Sequence, residues 1–135
     1  MDLAAALTIS ARGMDAQSLR LRVIAENLAN QDTTGSTPGA APYRRKTVTF
    51  TDRMDAVLGA DTVAVQSVGH DPSPFPLKYD PSNPAANARG YVKLPNVNSF
   101  VEMMDMREAE RSYQANLSIM QVSRAMLTRT ISLLQ

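Results

Sequence analysis

The sequence predicts a mainly α-helical chain with a small β and irregular insert: long N- and C-terminal helices pairing as a coiled coil, with a Pro/Gly-rich insert of short strands between them. Three observations carry this. Residues 99–135 contain neither Gly nor Pro, and Met106, Tyr113, Met120, Leu127 and Leu134 recur there every seventh residue. Near the other end, Leu7, Met14, Leu21 and Leu28 keep the same period, with Ala11, Ser18 and Ala25 four positions after the first three. All 8 prolines lie between these two stretches. A sustained heptad puts one narrow apolar seam along a helix, which suits a partner helix better than a globular core.

The first helix is expected to start near Asp2, whose carboxylate caps early backbone N–H groups, and to end near Asn30. At ~1.5 Å per residue it is roughly 40 Å long. Gly13 interrupts it at a cost of about 1 kcal/mol relative to Ala, so the helix is not optimised to stand alone. Burial of the Leu and Met stripe, roughly 1.5–3 kcal/mol per side chain, offsets that cost. An ordinary amphipathic helix on a small globule is the plainer alternative.

Composition changes at Gln31. Residues 33–39 (Thr-Thr-Gly-Ser-Thr-Pro-Gly) break the helix. Residues 43–51 are rich in β-branched and aromatic side chains, residues 62–68 alternate Val63 and Val65 with polar neighbours, and residues 90–94 form a third candidate strand ended by Pro95. Proline spacing in 71–77 and 79–84 forces extended or turn geometry in the connections.

The second helix is expected to open with a capping box, Ser99 accepting from the Glu102 N–H while the Glu102 carboxylate reaches back. Glu102, Asp105, Glu108 and Glu110 crowd its first turns, and beyond them the only charges are Arg111, Arg124 and Arg129, which complements the helix dipole. Glu110 and Arg124 share a second seam position with Met103, Leu117 and Ile131. A charge there either fixes register and partner or snorkels to solvent.

Composition limits what the chain does. Aromatics make up 5%, there is no Trp, and the 8 Met favour adaptable helix surfaces. Fourteen basic and 13 acidic residues leave a formal charge of +1, which provides no field to steer the chain to nucleic acid or an anionic membrane. The lack of Cys excludes disulfides and Cys-based metal sites. No stretch is apolar over the roughly 18 residues needed to span a bilayer, and residues 1–9 do not read as a secretory signal.

Candidate chemistry is sparse. His70, the sole histidine, precedes Asp71 in a Pro-rich loop with no second ligand or nucleophile in its pattern, and is read as a surface residue. Arg44, Arg45 and Lys46 read as a solvated face or a guarded sheet edge rather than a phosphate site. No calcium loop, phosphate cradle or small-molecule site is discernible, so no catalytic, metal or cofactor residue is assigned. The sequon at Asn116 lies on the second helix and is taken as chance, and residues 72–76 as a turn rather than a ligand for an aromatic groove.

Residues 24–35, Ile-Ala-Glu-Asn-Leu-Ala-Asn-Gln-Asp-Thr-Thr-Gly, resemble the Asn-Leu-Ala-Asn…Thr-x-Gly signature of bacterial flagellar axial proteins of the rod and hook, with Asn27, Asn30, Thr33 and Gly35 in the motif positions. Residues 42–50, 79–84 and 90–98 are similar to proximal-rod members of that family, as are Tyr113, Gln114 and Asn116 within 111–116; together these cover most of the chain. In physical terms Asn27 and Asn30 suit a helix exit by bonding backbone groups, and Gly35 suits a turn with positive φ.

The resemblance implies a structural subunit of the flagellar basal-body rod, the drive shaft that crosses the periplasm, exported without a cleaved signal peptide by the flagellar type III apparatus. Its implied partners are copies of itself, other rod proteins and the MS-ring or export-gate adaptor at the rod base, not nucleic acid, a small-molecule substrate or a membrane span. On this reading residues 1–34 are a coiled-coil helix with its exit motif, 35–97 the insert, and 98–135 the second coiled-coil helix. Leu7, Met14, Leu21, Leu28, Met106, Tyr113, Met120, Leu127 and Leu134 form the subunit seam. The alternative is a helical-hairpin adaptor or an export-associated chaperone.

Overall fold

A computed structural model describes residues 3–56 and 58–133. Two long helices, α1 (Leu3–Ala29) and α2 (Ser99–Ser132), enclose in sequence four strands: β1 (Lys46–Asp55), β2 (Ala60–His70), β3 (Leu77–Tyr79) and β4 (Tyr91–Lys93). The strands form two separate two-stranded sheets, β1 with β2 and β3 with β4. The Asp2 cap and the seam position Leu134 lie outside the described residues. No described helix is long and apolar enough to cross a membrane.

The chain divides into two compact units. The first holds the described residues of Met1–Leu21, Val48–Ser67 and Met106–Gln135. Here α1 and α2 run antiparallel, Gly13 lying beside Asn116 and Arg20 pairing with Glu108 at 3.5 Å. The buried residues are small: Ser10, Gly13 and Ala16 on α1, Ala109 and Ser123 on α2, and Thr62 on β2. A Cβ on Gly13 would stand 2.7 Å from Asn116 Nδ2. The glycine that weakens α1 is therefore what admits the second helix this closely.

The second unit comprises Arg22–Thr47 and Val68–Asp105. Val23, Ile24, Ala85 and Val92 are buried there, together with Pro42 and Pro95. In β3–β4 the register is antiparallel, Leu77 opposite Lys93, Lys78 opposite Val92 and Tyr79 opposite Tyr91. The last pair stacks edge-on with ring centroids 5.3 Å apart. Gly90 closes this hairpin at φ 80, where an L side chain is strained.

Several local expectations are corrected. The first strand begins at Lys46 rather than 43, because residues 43–45 are drawn into polar contacts, and it extends to Asp55. β2 outruns its expected span at both ends, so His70 ends a strand instead of sitting in a loop. β3 was not anticipated: three residues after Pro76 are too few to show alternation. Gly35 has no positive φ, that conformation falling at Gly39; Gly35 is needed because a Cβ there would come within 2.5 Å of Ala40 Cβ. The capping box does not form. Asn98 Oδ1 accepts from the N–H groups of Phe100 and Val101, at 3.0 and 3.4 Å, and caps α2 one residue earlier.

The Gly13–Asn116 approach makes a double-mutant prediction. Gly13→Ala in the intact chain destabilises the helix pair or leaves it unchanged, since the helix gain of about 1 kcal/mol is spent displacing Asn116. In an Asn116→Ala background the same change raises stability by about 0.5–1 kcal/mol, read from denaturant melts by circular dichroism. An equal effect in both backgrounds would show that the two residues do not meet.

Candidate functional site

The second unit is centred on a buried carboxylate. Glu102, on the first turn of α2, is 0% exposed. Its Oε1 accepts from Arg45 Nε at 2.5 Å and its Oε2 from Asn27 Nδ2 at 3.1 Å. Asn27, 1% exposed on the last turns of α1, uses every polar site it has. Its second amide hydrogen goes to the Lys46 carbonyl at 2.9 Å, and its Oδ1 accepts from the Lys46 N–H and the Tyr43 hydroxyl, each at 2.9 Å. One side chain thus joins α1, the approach to β1, the first ladder residue and α2.

Arg45 spreads its charge over three acids, Glu102 and, at 3.6 Å each, Asp71 and Asp105. Burial lowers its pKa, but the hydrogen bond and charge of Glu102, then the charges of Asp71 and Asp105, outweigh burial and leave it raised. Burial raises the pKa of Tyr43, which keeps its hydroxyl protonated as a donor to Asn27. The Lys46 pKa is raised by its hydrogen bond to Glu26 at 2.7 Å. Asp71 is lowered by the hydroxyl and backbone N–H of Ser73, with Arg45 adding to them. Arg44 lies 4.2 Å over the Phe75 ring and donates to the Asp71 and Ser73 carbonyls, at 2.8 and 3.2 Å. The expectation of a solvated basic face at 44–46 is therefore corrected: each of the three cations has a partner in its own unit.

The motif residues fall into two groups. Asn27 lies inside α1 and clasps a strand 19 residues away rather than ending the helix. Asn30 does serve the exit: its Nδ2 donates to the Glu26 carbonyl at 2.8 Å and its Oδ1 accepts from the Thr33 hydroxyl at 3.2 Å. Gln31 and Ser99 bond through their side chains and bring the end of α1 to the start of α2. In the first unit, Tyr113 is half-buried, Gln114 exposed, and Asn116 meets Gly13 while donating to the Ser112 carbonyl at 3.1 Å.

The apolar stripes sit beside the buried lines, not on them. Leu7, Met14, Leu21 and Leu28 on α1 and Met106, Tyr113 and Met120 on α2 are half-buried, and Leu127 is 38% exposed. On α2 the buried positions of the two units are Glu102 in one and Ala109 and Ser123 in the other. With half-buried Asn116 they too recur every seventh residue. The second seam position is open: Met103, Glu110, Leu117, Arg124 and Ile131 are all exposed.

His70 is exposed, and the described residues contain no cluster of three His, Asp or Glu suited to a metal. In the first unit an open cleft of about 320 Å³ is lined by Arg12, Arg53, Asp55 and Thr62, with Met54 and Val63 on its apolar side.

The family described as "Flagella basal body rod protein" matches residues 7–37. The family described as "Flagellar basal body rod FlgEFG protein C-terminal" matches residues 88–133. The chain is 52% identical to the flagellar basal-body rod protein FlgC of Agrobacterium fabrum, over 98% of this chain and 96% of that one. It is 43% identical to FlgC of Salmonella typhimurium over 93% and 92%, and 37% identical to that of Borreliella burgdorferi over 100% and 99%.

Two measurements probe the clasp. Glu102→Ala leaves Arg45 and Asn27 without their buried partner and costs about 3–5 kcal/mol of stability in the second unit, while Glu102→Gln, which keeps the shape, costs less. Hydrogen exchange at residues 43–47 reads both, and slow exchange there in Glu102→Ala would count against the clasp. Asp71 has a folded pKa below its ordinary value of 3.8, so its contribution is present above that value and lost as pH falls through the folded pKa. Acid therefore loosens the 71–75 segment, and Asp71→Asn removes that pH dependence.

Proposed function

The chain belongs to the FlgC family of flagellar basal-body rod proteins, and from this premise we propose that it polymerises through its terminal helices as part of the proximal rod. It is a structural subunit of the flagellar basal-body rod, not an enzyme. The observation that carries this is the identity to FlgC along almost the whole chain, motif and insert included. The proposal extends to the finer points: the rod forms the drive shaft in the periplasm, export runs through the flagellar type III apparatus, and neighbours include further copies, other rod proteins and the MS-ring or export-gate adaptor.

The apolar seam supports coiled-coil contact between subunits. A lone chain leaves Ile119, Val122, Met126 and Leu127 exposed on α2 beside the half-buried Met106, Tyr113 and Met120, and water-exposed apolar surface of this extent on one helix favours association. The insert, 35–97, acts as a stiff spacer: its second-unit part is fixed by the Glu102 clasp, and proline lowers the entropy lost on ordering.

Loss of the chain is expected to abolish swimming and rod completion, with restoration by the wild-type sequence. Leu127→Ala, at a position exposed in the single chain, leaves the melting of the purified protein unchanged yet blocks rod completion when export is normal. Cells with Leu127→Ala that build full rods and swim would remove Leu127 from the interface.

A further inference from the structure

Within the first unit, α2 carries an exposed line of residues seven apart: Glu110, Leu117, Arg124 and Ile131. Seven residues are nearly two helical turns, so the line stays on one face with a slow left-handed drift, as a coiled-coil position does. Glu110 and Arg124 have no ion partner among the described residues, although Glu108 of the same helix is paired with Arg20. Leu117 and Ile131 are 36% and 52% exposed. The line thus alternates acid, apolar, base, apolar, and each of its residues stays exposed in this chain.

We propose that this line docks on the same line of a second copy, parallel to it and displaced by two heptads. Glu110 of one copy then faces Arg124 of the next, and Leu117 faces Ile131. The displacement, fourteen residues at ~1.5 Å each, is roughly 21 Å along the helix. Charge selects this register. Parallel copies with no displacement set Glu110 against Glu110 and Arg124 against Arg124, and like charges at a seam oppose pairing. An antiparallel pair also matches Glu110 with Arg124, but places Leu117 on Leu117 and closes on a two-fold axis, which ends growth. The displaced contact is heterologous: each copy keeps one half of the line free for the next, so the chain of contacts stays open. This deepens the rod-subunit reading and rests on it.

Since the sequence has no cysteine, introduced thiols report this contact alone. A chain carrying Leu117→Cys and Ile131→Cys is expressed in place of the wild type, and isolated basal bodies are mildly oxidised. The displaced contact yields a ladder of dimers, trimers and higher species on a non-reducing gel, collapsing to monomer with reductant, while Leu117→Cys alone yields none. Dimers from Leu117→Cys alone establish the antiparallel pair and overturn the displaced one. Incorporated chain that stays monomeric overturns both registers yet leaves the rod assignment standing. Absence of the wild-type chain from basal bodies removes that assignment and the inference with it. If the thiol variant is not incorporated, charge tests the facing of Glu110 and Arg124 that the proposal requires: Glu110→Arg and Arg124→Glu each reduce spreading in soft agar, and the chain carrying both recovers it. Failure to recover overturns the proposal.

Discussion

A carboxylate with no access to water has to be met by donors at close range, and in the second unit that requirement on Glu102 governs the rest. Satisfying it takes Arg45 on one side and Asn27 on the other. Once Asn27 is turned toward Glu102, its remaining atoms lie where only Tyr43 and the Lys46 backbone serve as partners. Arg45 carries the constraint outward: its backbone N–H is received by Asn96 Oδ1 at 2.8 Å, and its carbonyl receives the Asp71 N–H at 2.9 Å. Hydrogen bonds are directional where apolar contacts are not, so a unit built on them has one register and little tolerance for slippage.

The first unit solves a different problem. Its fully buried residues are Ser, Gly, Ala and Thr, small side chains that let the helix backbones approach closely, with larger Leu, Met and Tyr half-buried beside them. Gly13 shows the trade clearly: it gives up helix propensity to make room for Asn116.

The helices were legible in the sequence almost to the residue, because heptad spacing and the absence of Gly and Pro are long-range signals that a few irregularities do not erase. Three of the four strands were legible in place but not in extent, and β3 was invisible at its length. The clasp was not legible. Asn27 reads as a helix-exit residue, Glu102 as a capping acid and Arg45 as one of a basic trio, and each role is locally plausible. What separates them from surface residues is tertiary: they meet across separations of 57 and 75 residues. One trace was available on α2, where Glu102, Ala109, Asn116 and Ser123 share the seven-residue period of the apolar stripe. A recurring small or polar position beside a recurring large one marks a close helix contact, and here it carries the buried line of α2.

The half-buried stripe on α2 lies next to both surfaces at once. In the first unit Met106, Tyr113 and Met120 follow Ala109, Asn116 and Ser123 on one side and the open Glu110–Leu117–Arg124 line on the other. A side chain half-covered in the single chain has area left to lose, and a neighbour that covers the rest while touching both helices binds their paired form better than the separated form. Binding that prefers one form stabilises it by RT ln(1 + [L]/Kd), so in the proposed assembly each docked copy would tighten the helix pair of the copy it docks on. Half-burial of the stripe offsets part of the Gly13 penalty in the single chain, and the proposed association would offset the rest. Under that proposal, helices completed by their neighbours would make the assembled contact cooperative.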